Sequence, residues 1–245
     1  MADDRNSSPG FPAIAGIALL AAVLGFAGGW AAPLTGVTRH STENVVRDYI
    51  LDNPEILPQA IQKLQAREAA ARMDPIRKTL ETPYSGAFLG NPNGSVVLVE
   101  FSDYACGYCR QSMADVDALV AENPDLKVVM REYPILSPLS TEAARWALAA
   151  AQQGKFAAFH RAMFNVGRPS EANIQKAAKQ AGLDIAKARK DIASSDIETE
   201  IGRNLAIGER MGFDGTPSWV IGDQAFSGSV GRKALAKAIA DARGK

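Results

Sequence analysis

The chain has few of the residues that staple a small scaffold together or bind a metal. Its 245 residues include two cysteines and two histidines. A disulfide-stapled scaffold needs more cysteines, and a structural zinc site needs further ligands beside one cysteine pair. Because Cys106 and Cys109 are close in sequence and the chain is large enough to fold on its apolar core, we expect this pair to do chemistry.

The sequence also has no excess of charge of either sign. Lys and Arg number 27 and Asp and Glu number 27, while apolar residues make up 47% of the chain. The basic surface that nucleic-acid binding requires is therefore not predicted. No acidic or basic tail and no internal repeat is present, and the length allows one domain with an appendage or two small domains.

Residues 11–32 contain no charged side chain, and they follow a polar segment at 1–10. As a helix, about 22 residues extend roughly 33 Å, enough to cross a bilayer core. Asp3 and Asp4 make a poor start for a cleaved signal peptide, although the small residues near position 30 would permit cleavage. A transmembrane anchor, a signal sequence and a buried soluble helix all stand as interpretations. The first two export the rest of the chain, and we expect a periplasmic location.

A linker at 33–42 and a helical arm at 43–82 are predicted next. Leu57, Ile61 and Leu64 form a narrow apolar stripe on a highly charged helix, which suits a helix–helix seam better than a deep core. We therefore expect the arm to associate with a second copy of the chain, giving a homo-oligomer. The alternative is that the arm packs on its own domain.

The remainder, residues 83–245, has the pattern of an α/β domain. Near-continuous apolar runs predict buried strands, and a long stretch of helical periodicity separates the first two strands from a later hairpin. Together they predict a thioredoxin-like fold with an inserted helical domain. The predicted order is a strand at 95–101, the cysteine pair, a strand at 126–130, helices at about 140–212, a hairpin at 218–226 and a helix at 232–242.

Two cysteines at positions i and i+3 of a first helical turn lie on one face, near the separation that a disulfide requires. Cys106 would sit at the helix N-terminus, where backbone N–H groups favour a thiolate. That makes Cys106 the attacking sulfur, and Cys109 the resolving thiol that breaks a mixed disulfide. No cofactor is expected beyond the redox-active disulfide Cys106–Cys109, and no metal.

Two other readings of the pair remain, an idle buried pair and half of a zinc site. The further zinc ligands would have to be His40, in the linker, and His160, among the inserted helices beside an aromatic face. We expect His160 to be structural. Glu100 precedes Cys106 on the buried strand, and an ionisable group there is costly unless it is used or paired. We expect it to exchange a proton with Cys109; the alternative is an ion pair with Arg131 or a neighbouring residue.

Two further features bear on chemistry and substrate binding. Thr216-Pro217 precedes a strand, and a cis bond there would turn Thr216 toward the cysteines, whereas a trans bond would make it an ordinary turn. A substrate segment would then pair with the Thr216 backbone as a strand does. Between the sulfurs stand Gly107 and Tyr108. Because neither is a cation, we expect a pair that is less strongly oxidising.

These residues resemble the DsbA-like branch of the thioredoxin superfamily over roughly 83–245. The resemblance rests on the segments 99–109 and 215–219 together with the helical insert. It implies a nucleophilic Cys106, a resolving Cys109, a buried acid at Glu100 and a cis-proline at Pro217. Gly-Tyr between the cysteines and Thr-Pro in the loop are similar to the DsbC isomerases, and the arm resembles that of ScsC-like proteins.

The resemblance implies a protein disulfide oxidoreductase, either an oxidase or an isomerase. Its substrates would be cysteine-containing exported proteins, and its redox partner a membrane protein similar to DsbB or DsbD. An oligomer through residues 43–82 would favour an isomerase. Two alternatives are a dithiol reductant dedicated to one partner and a redox-independent holdase that uses the arm.

Overall fold

The computed structural model describes residues 37–244, with side chains from residue 42. The predicted elements occur in the predicted order: helices, two strands around the cysteine helix, more helices, then a hairpin and a last helix. The structure adds a short strand at 88–90 that the sequence did not predict. The strands are β1 Phe88–Gly90, β2 Val96–Ser102, β3 Leu126–Glu132, β4 Ser218–Ile221 and β5 Gln224–Ser227. The helices are α1 Val37–Asp52, α2 Ile56–Met73, α3 Arg77–Glu81, α4 Gly107–Glu122, α5 Pro138–Gln152, α6 Phe156–Val166, α7 Glu171–Gln180, α8 Ile185–Asp191, α9 Ser195–Met211 and α10 Arg232–Arg243.

The strands form one mixed sheet in the order β1-β3-β2-β4-β5. The central strands β2 and β3 are parallel. Strand β1 pairs antiparallel with β3, β4 pairs antiparallel with β2, and β5 pairs antiparallel with β4. Gly222 and Asp223 close the hairpin between β4 and β5, with Gly222 at a φ of 54°. The sheet therefore has the thioredoxin-like arrangement expected from the sequence, and it places the end of β2 directly before the cysteines.

Apolar side chains cover both faces of the sheet, because neighbouring residues of a strand point to opposite sides. The larger core cluster takes Leu98 from β2 and includes both cysteines. The smaller cluster takes Val99 and Phe101 from the same strand. The cysteine pair thus belongs to the face that also packs against most of the inserted helices.

The second cluster includes residues that precede the predicted domain boundary at residue 83. Ala69, Met73 and Leu80 are buried there, and the compact unit that holds the sheet begins at Lys63. The other compact unit ends at Gln62. The segment 63–82, predicted as part of the arm, therefore supplies core side chains to the thioredoxin-like unit.

The structure tests only part of what the sequence predicts for the N-terminal segment. Helix α1 begins at Val37, so half of the segment predicted as a linker is helical. The expected anchor or signal sequence at 11–32 lies outside the described residues. Within residues 37–244, no helix combines the length and the apolar character needed to cross a bilayer.

A buried ion pair joins the sheet to the insert. Arg131 of β3 donates to Glu200 at 2.7 Å and to Asn204 at 3.1 Å, and all three side chains are almost fully buried. The same guanidinium donates to the backbone carbonyls of Thr79 and Leu80. The Arg131 side chain lies on the face of the sheet opposite Glu100. The alternative of an ion pair between Arg131 and Glu100 is therefore wrong.

We predict that Glu200→Ala lowers the free energy of unfolding by about 3–5 kcal/mol, because it leaves the Arg131 charge buried without its counter-ion. Urea denaturation followed by circular dichroism measures the effect. Lys237→Ala is the control, since it removes an exposed i,i+4 pair with Asp241 and should change stability by less than ~1 kcal/mol. Equal effects of the two substitutions would contradict the prediction.

Candidate active site

The cysteine pair stands at the start of helix α4. Cys106 is the N-cap residue with an extended backbone, and its sulfur accepts a hydrogen bond from the Cys109 N–H at 3.4 Å. Both cysteines are free thiols. Cys106 keeps 6% of its surface exposed, whereas Cys109 is fully buried. Both residues are buried, and Cys106 is the less buried of the two, as the spacing predicts.

The two sulfurs have opposite acid–base properties. The pKa of Cys106 is lowered to about 5, chiefly because the Cys109 thiol donates a hydrogen bond to it, which outweighs the effect of burial. Backbone N–H groups of the first helical turn add to this effect. Burial, together with that hydrogen bond and the charge of Glu100, raises the pKa of Cys109 far above its usual value. At neutral pH the pair therefore carries one negative charge, on Cys106.

Glu100 lies on the cysteine side of the sheet, where sequence reasoning expected it. It is 3% exposed, and its pKa is raised to about 8, chiefly by burial and to a smaller extent by the negative charge of Cys106, while the Ser102 hydroxyl lowers it. Its carboxyl group also raises the pKa of Cys109. A carboxylic acid with a pKa near neutrality can both take up and return a proton under physiological conditions.

The loop before β4 reaches the first sulfur. The Thr216–Pro217 peptide bond is cis, so the ordinary trans turn is ruled out. The Cys106 sulfur lies 3.1 Å from the Thr216 carbonyl oxygen and donates a hydrogen bond to it when Cys106 is protonated. The backbone of Thr216 is thus placed beside the sulfur that would hold a substrate.

The two residues between the cysteines are little constrained by packing. Tyr108 is 62% exposed, and a Cβ added at Gly107 would meet no atom within 4 Å. Neither is needed to fill the core. Their influence must therefore be exerted on the sulfurs or on a bound partner.

A buried network that sequence reasoning did not anticipate lies behind the loop. The Tyr104 hydroxyl donates to Glu132 at 3.1 Å and lies 3.0 Å from Nδ1 of His160. Burial raises the pKa of Glu132 well above its usual value and lowers that of His160 to about 3, so His160 is neutral at physiological pH. Glu132 pairs with Ser102 across the β2–β3 register. The sequence alone does not give this register, which decides which residues of β3 face the cysteines.

His160 has the structural role that was expected of it. Its ring stacks on Phe156 at 5.4 Å and contacts Phe164 edge to face at 5.0 Å. Within the described part of the chain, no group of three or more His, Cys, Asp or Glu residues is arranged to hold a metal ion. His160 is instead committed to Tyr104 and the aromatic residues of the insert.

Comparison with known proteins places the chain in a family. The model of the DsbA-like thioredoxin domain matches residues 97–240, more than half of the sequence. The chain belongs to the DsbA-like thioredoxin family. A second model, the N-terminal domain of the copper resistance protein ScsC, matches residues 43–71, within the predicted arm.

Solved structures agree with this membership. A thioredoxin-like oxidoreductase from Silicibacter pomeroyi DSS-3 is 40% identical with a TM-score of 0.66, covering 69% of this chain and 98% of that one. The thiol-disulfide exchange protein alpha-DsbA2 from Wolbachia pipientis is 27% identical (TM-score 0.67; 73% and 97% covered). ScsC from Proteus mirabilis in a transitional conformation is 26% identical (TM-score 0.64; 86% and 98% covered).

Among curated proteins, the chain matches Na(+)/H(+) antiporters, for example NhaA 1 of Mycobacterium sp. (strain KMS). That match is 28% identical over 156 residues and covers 61% of this chain. It covers 25% of the antiporter, so the chain spans about a quarter of the length of the curated relatives it matches. Ion transport is an activity of those longer proteins.

We predict that Cys106 reacts with iodoacetamide with a half-maximal rate near pH 5, because the Cys109 thiol stabilises its thiolate. Cys109→Ala should move this midpoint to higher pH, since the hydrogen bond is lost. Alkylation rates of the reduced protein across a pH series measure both. The control, Cys106→Ala, should show only slow alkylation, and an unchanged midpoint in Cys109→Ala would contradict this origin of the low pKa.

Proposed function

We propose that this DsbA-like protein exchanges disulfides with exported proteins through Cys106 and Cys109. The observation that carries the proposal is the pairing of an accessible thiolate at a helix N-terminus with a fully buried thiol one turn later. Thiolate is the attacking and the departing species in disulfide exchange. A periplasmic location fits this chemistry, because disulfides form and persist outside the cytosol.

In the reducing direction, the Cys106 thiolate attacks a substrate disulfide. A bond forms between Cys106 and one substrate sulfur, and the other substrate sulfur leaves as a thiolate. Cys109 then gives up its proton and attacks Cys106, which forms the Cys106–Cys109 disulfide and releases the reduced substrate. In the oxidising direction the same steps run backwards, and Cys106 is the good leaving group because its thiolate is stabilised.

Glu100 supports the step in which Cys109 changes its protonation. While Cys106 is a thiolate, its charge helps to keep Glu100 protonated. Once Cys106 is bound in a mixed disulfide that charge is gone, so the pKa of Glu100 falls and its carboxyl group gives up its proton more readily, although burial still raises that pKa. Glu100 then accepts the Cys109 proton at the moment when Cys109 must attack.

Thr216 and Pro217 supply the substrate-binding edge. The Thr216 carbonyl is occupied by the Cys106 thiol in the free dithiol. When Cys106 becomes a thiolate or enters a mixed disulfide it no longer donates, so the carbonyl is free to accept from a substrate N–H. An extended segment then pairs with the loop as one more strand would, which favours unfolded cysteine-containing substrates.

The arm supports isomerase activity in addition to oxidation. Its exposed large apolar side chains are Val45, Val46, Tyr49, Leu51, Leu57, Ile61 and Leu64. Such an apolar surface is typical of an interaction site. Its narrow apolar stripe on a highly charged helix suits a helix–helix seam, and we infer that a second copy of this chain occupies it. Active sites held together by an oligomer would retain a misfolded substrate during repeated exchange.

The redox partner in this proposal is a membrane protein similar to DsbB or to DsbD. A DsbB-like partner would withdraw electrons from the pair and maintain an oxidase, whereas a DsbD-like partner would supply them and maintain an isomerase or a reductase. The thiol state of the protein trapped in cells separates the two. A mostly reduced pair supports isomerisation, and a mostly oxidised pair supports disulfide formation.

We predict that Cys106→Ala abolishes both reduction of insulin and refolding of scrambled ribonuclease, because the attacking sulfur is lost. Cys109→Ala should accumulate mixed disulfides, which are detected by non-reducing electrophoresis and mass spectrometry. Suppression of substrate aggregation is measured in parallel. Wild-type exchange rates in Cys106→Ala would overturn the proposal, and aggregation suppression alone, unaffected by either substitution, would indicate a holdase.

We predict that the protein is oligomeric in light scattering and that Leu57→Glu combined with Ile61→Glu reduces its mass to that of one chain. Two buried negative charges are costly at a helix–helix seam. Substitution is preferable to deletion up to residue 82, because Met73 and Leu80 belong to the domain core. Lys63→Glu on the same helix is the control for added charge. A wild-type monomer would contradict the oligomer.

A further inference from the structure

Ser102 occupies a position that the exchange mechanism has not used. It is the last residue of β2, two residues after Glu100. Because side chains alternate along a strand, the two project from the same face of the sheet, the face that holds Cys109. Ser102 is 2% exposed, so its hydroxyl is shut off from bulk water.

The Ser102 hydroxyl is buried and makes no hydrogen bond within the part of the chain that the structure describes. A buried polar atom without a partner is destabilising and calls for an explanation. The hydroxyl lies close enough to lower the pKa of both Glu100 and Cys109. It therefore sits beside both groups that exchange the proton, uncommitted to either.

The other polar groups around Glu100 are already engaged. Tyr104 contacts Glu132 and His160. The two oxygens of Asp103 accept from the N–H groups of Ala105 and Leu136, at 2.8 Å and 2.9 Å. Cys106, on helix α4, is held by the Cys109 N–H and the Thr216 carbonyl. Ser102 is thus the neighbouring hydroxyl that can rotate to serve either Cys109 or Glu100.

We propose that Ser102 relays the proton between Cys109 and Glu100. As Cys109 attacks, its proton passes to the oxygen of Ser102, and the proton of Ser102 passes to the carboxylate of Glu100. Ser102 receives one proton and gives up another, so its own protonation state is unchanged. In the oxidising direction the relay runs backwards, and Glu100 protonates the departing Cys109. This inference rests on the proposed function of the same site.

An Ellman's reagent reaction of the full-length reduced protein resolves the two sulfurs. The first release of nitrothiobenzoate reports the attack by Cys106, and the second reports resolution by Cys109. We expect Ser102→Ala to slow the second release roughly tenfold, the order expected for one lost hydrogen bond, and to leave the first unchanged. Ser102→Thr, which keeps a hydroxyl, should restore the second release.

A double variant tests whether Ser102 and Glu100 act in series on the same proton. Since Ser102 and Glu100 act on one proton, Glu100→Gln with Ser102→Ala should resolve no more slowly than Glu100→Gln alone, so the effects are non-additive. Ser194→Ala is the matched control, because Ser194 carries another buried hydroxyl without a hydrogen bond and lies on the insert. It should change neither release. Ser102→Gly serves if the alanine variant fails to fold.

The outcomes separate this inference from the proposed function. A wild-type second release retained in Ser102→Ala, or slow release in Ser102→Thr, overturns the relay while leaving disulfide exchange intact. Additive effects in the double variant also overturn it. If the wild-type protein itself gives no second release and no insulin reduction, the proposed function fails, and the relay with it.

Discussion

The chemistry of this molecule depends on the position of one sulfur at the first turn of helix α4. Cys106 lies where the Cys109 N–H and thiol both point at it, so negative charge is stabilised without any cation. The position of Cys109 follows from the same helix. Cys109 is one turn further along the helix and fully buried, which keeps it protonated until Cys106 has reacted.

The negative charge on Cys106 makes it unfavourable for the buried carboxyl groups of the site to be ionised at the same time. Glu100 and Glu132 are both buried on the cysteine face, and burial raises the pKa of each. Like charges in a low-dielectric interior repel strongly, so a thiolate on Cys106 and a carboxylate on Glu100 tend to exclude one another. In the proposed mechanism, the negative charge alternates between the Cys106 sulfur and the Glu100 carboxyl group, and this alternation would couple bond exchange to proton exchange.

The sequence was informative wherever a local pattern determined the structure. The strands, the cysteine helix, the helical insert and the hairpin could be predicted because alternation and helical periodicity are local. The Tyr104–Glu132–His160 network could not, because it depends on the register between β2 and β3 and on the packing of α6. The same register moved Arg131 away from Glu100, and packing assigned Ala69 and Met73 of the predicted arm to the domain core.

The direction of electron flow is a separate physical question from the exchange itself. Stabilising the Cys106 thiolate stabilises the reduced pair relative to the disulfide, and here helix hydrogen bonds do this while Gly107 and Tyr108 add no cation. Such a pair can isomerise only if it is kept reduced, and it can oxidise only if a partner withdraws electrons faster than substrates supply them. In the proposed function, the deciding factor is therefore which redox partner can reach Cys106. An arm that holds several active sites together would restrict that access, so its exposed apolar side chains, far from the sulfurs in sequence, would govern what the sulfurs do.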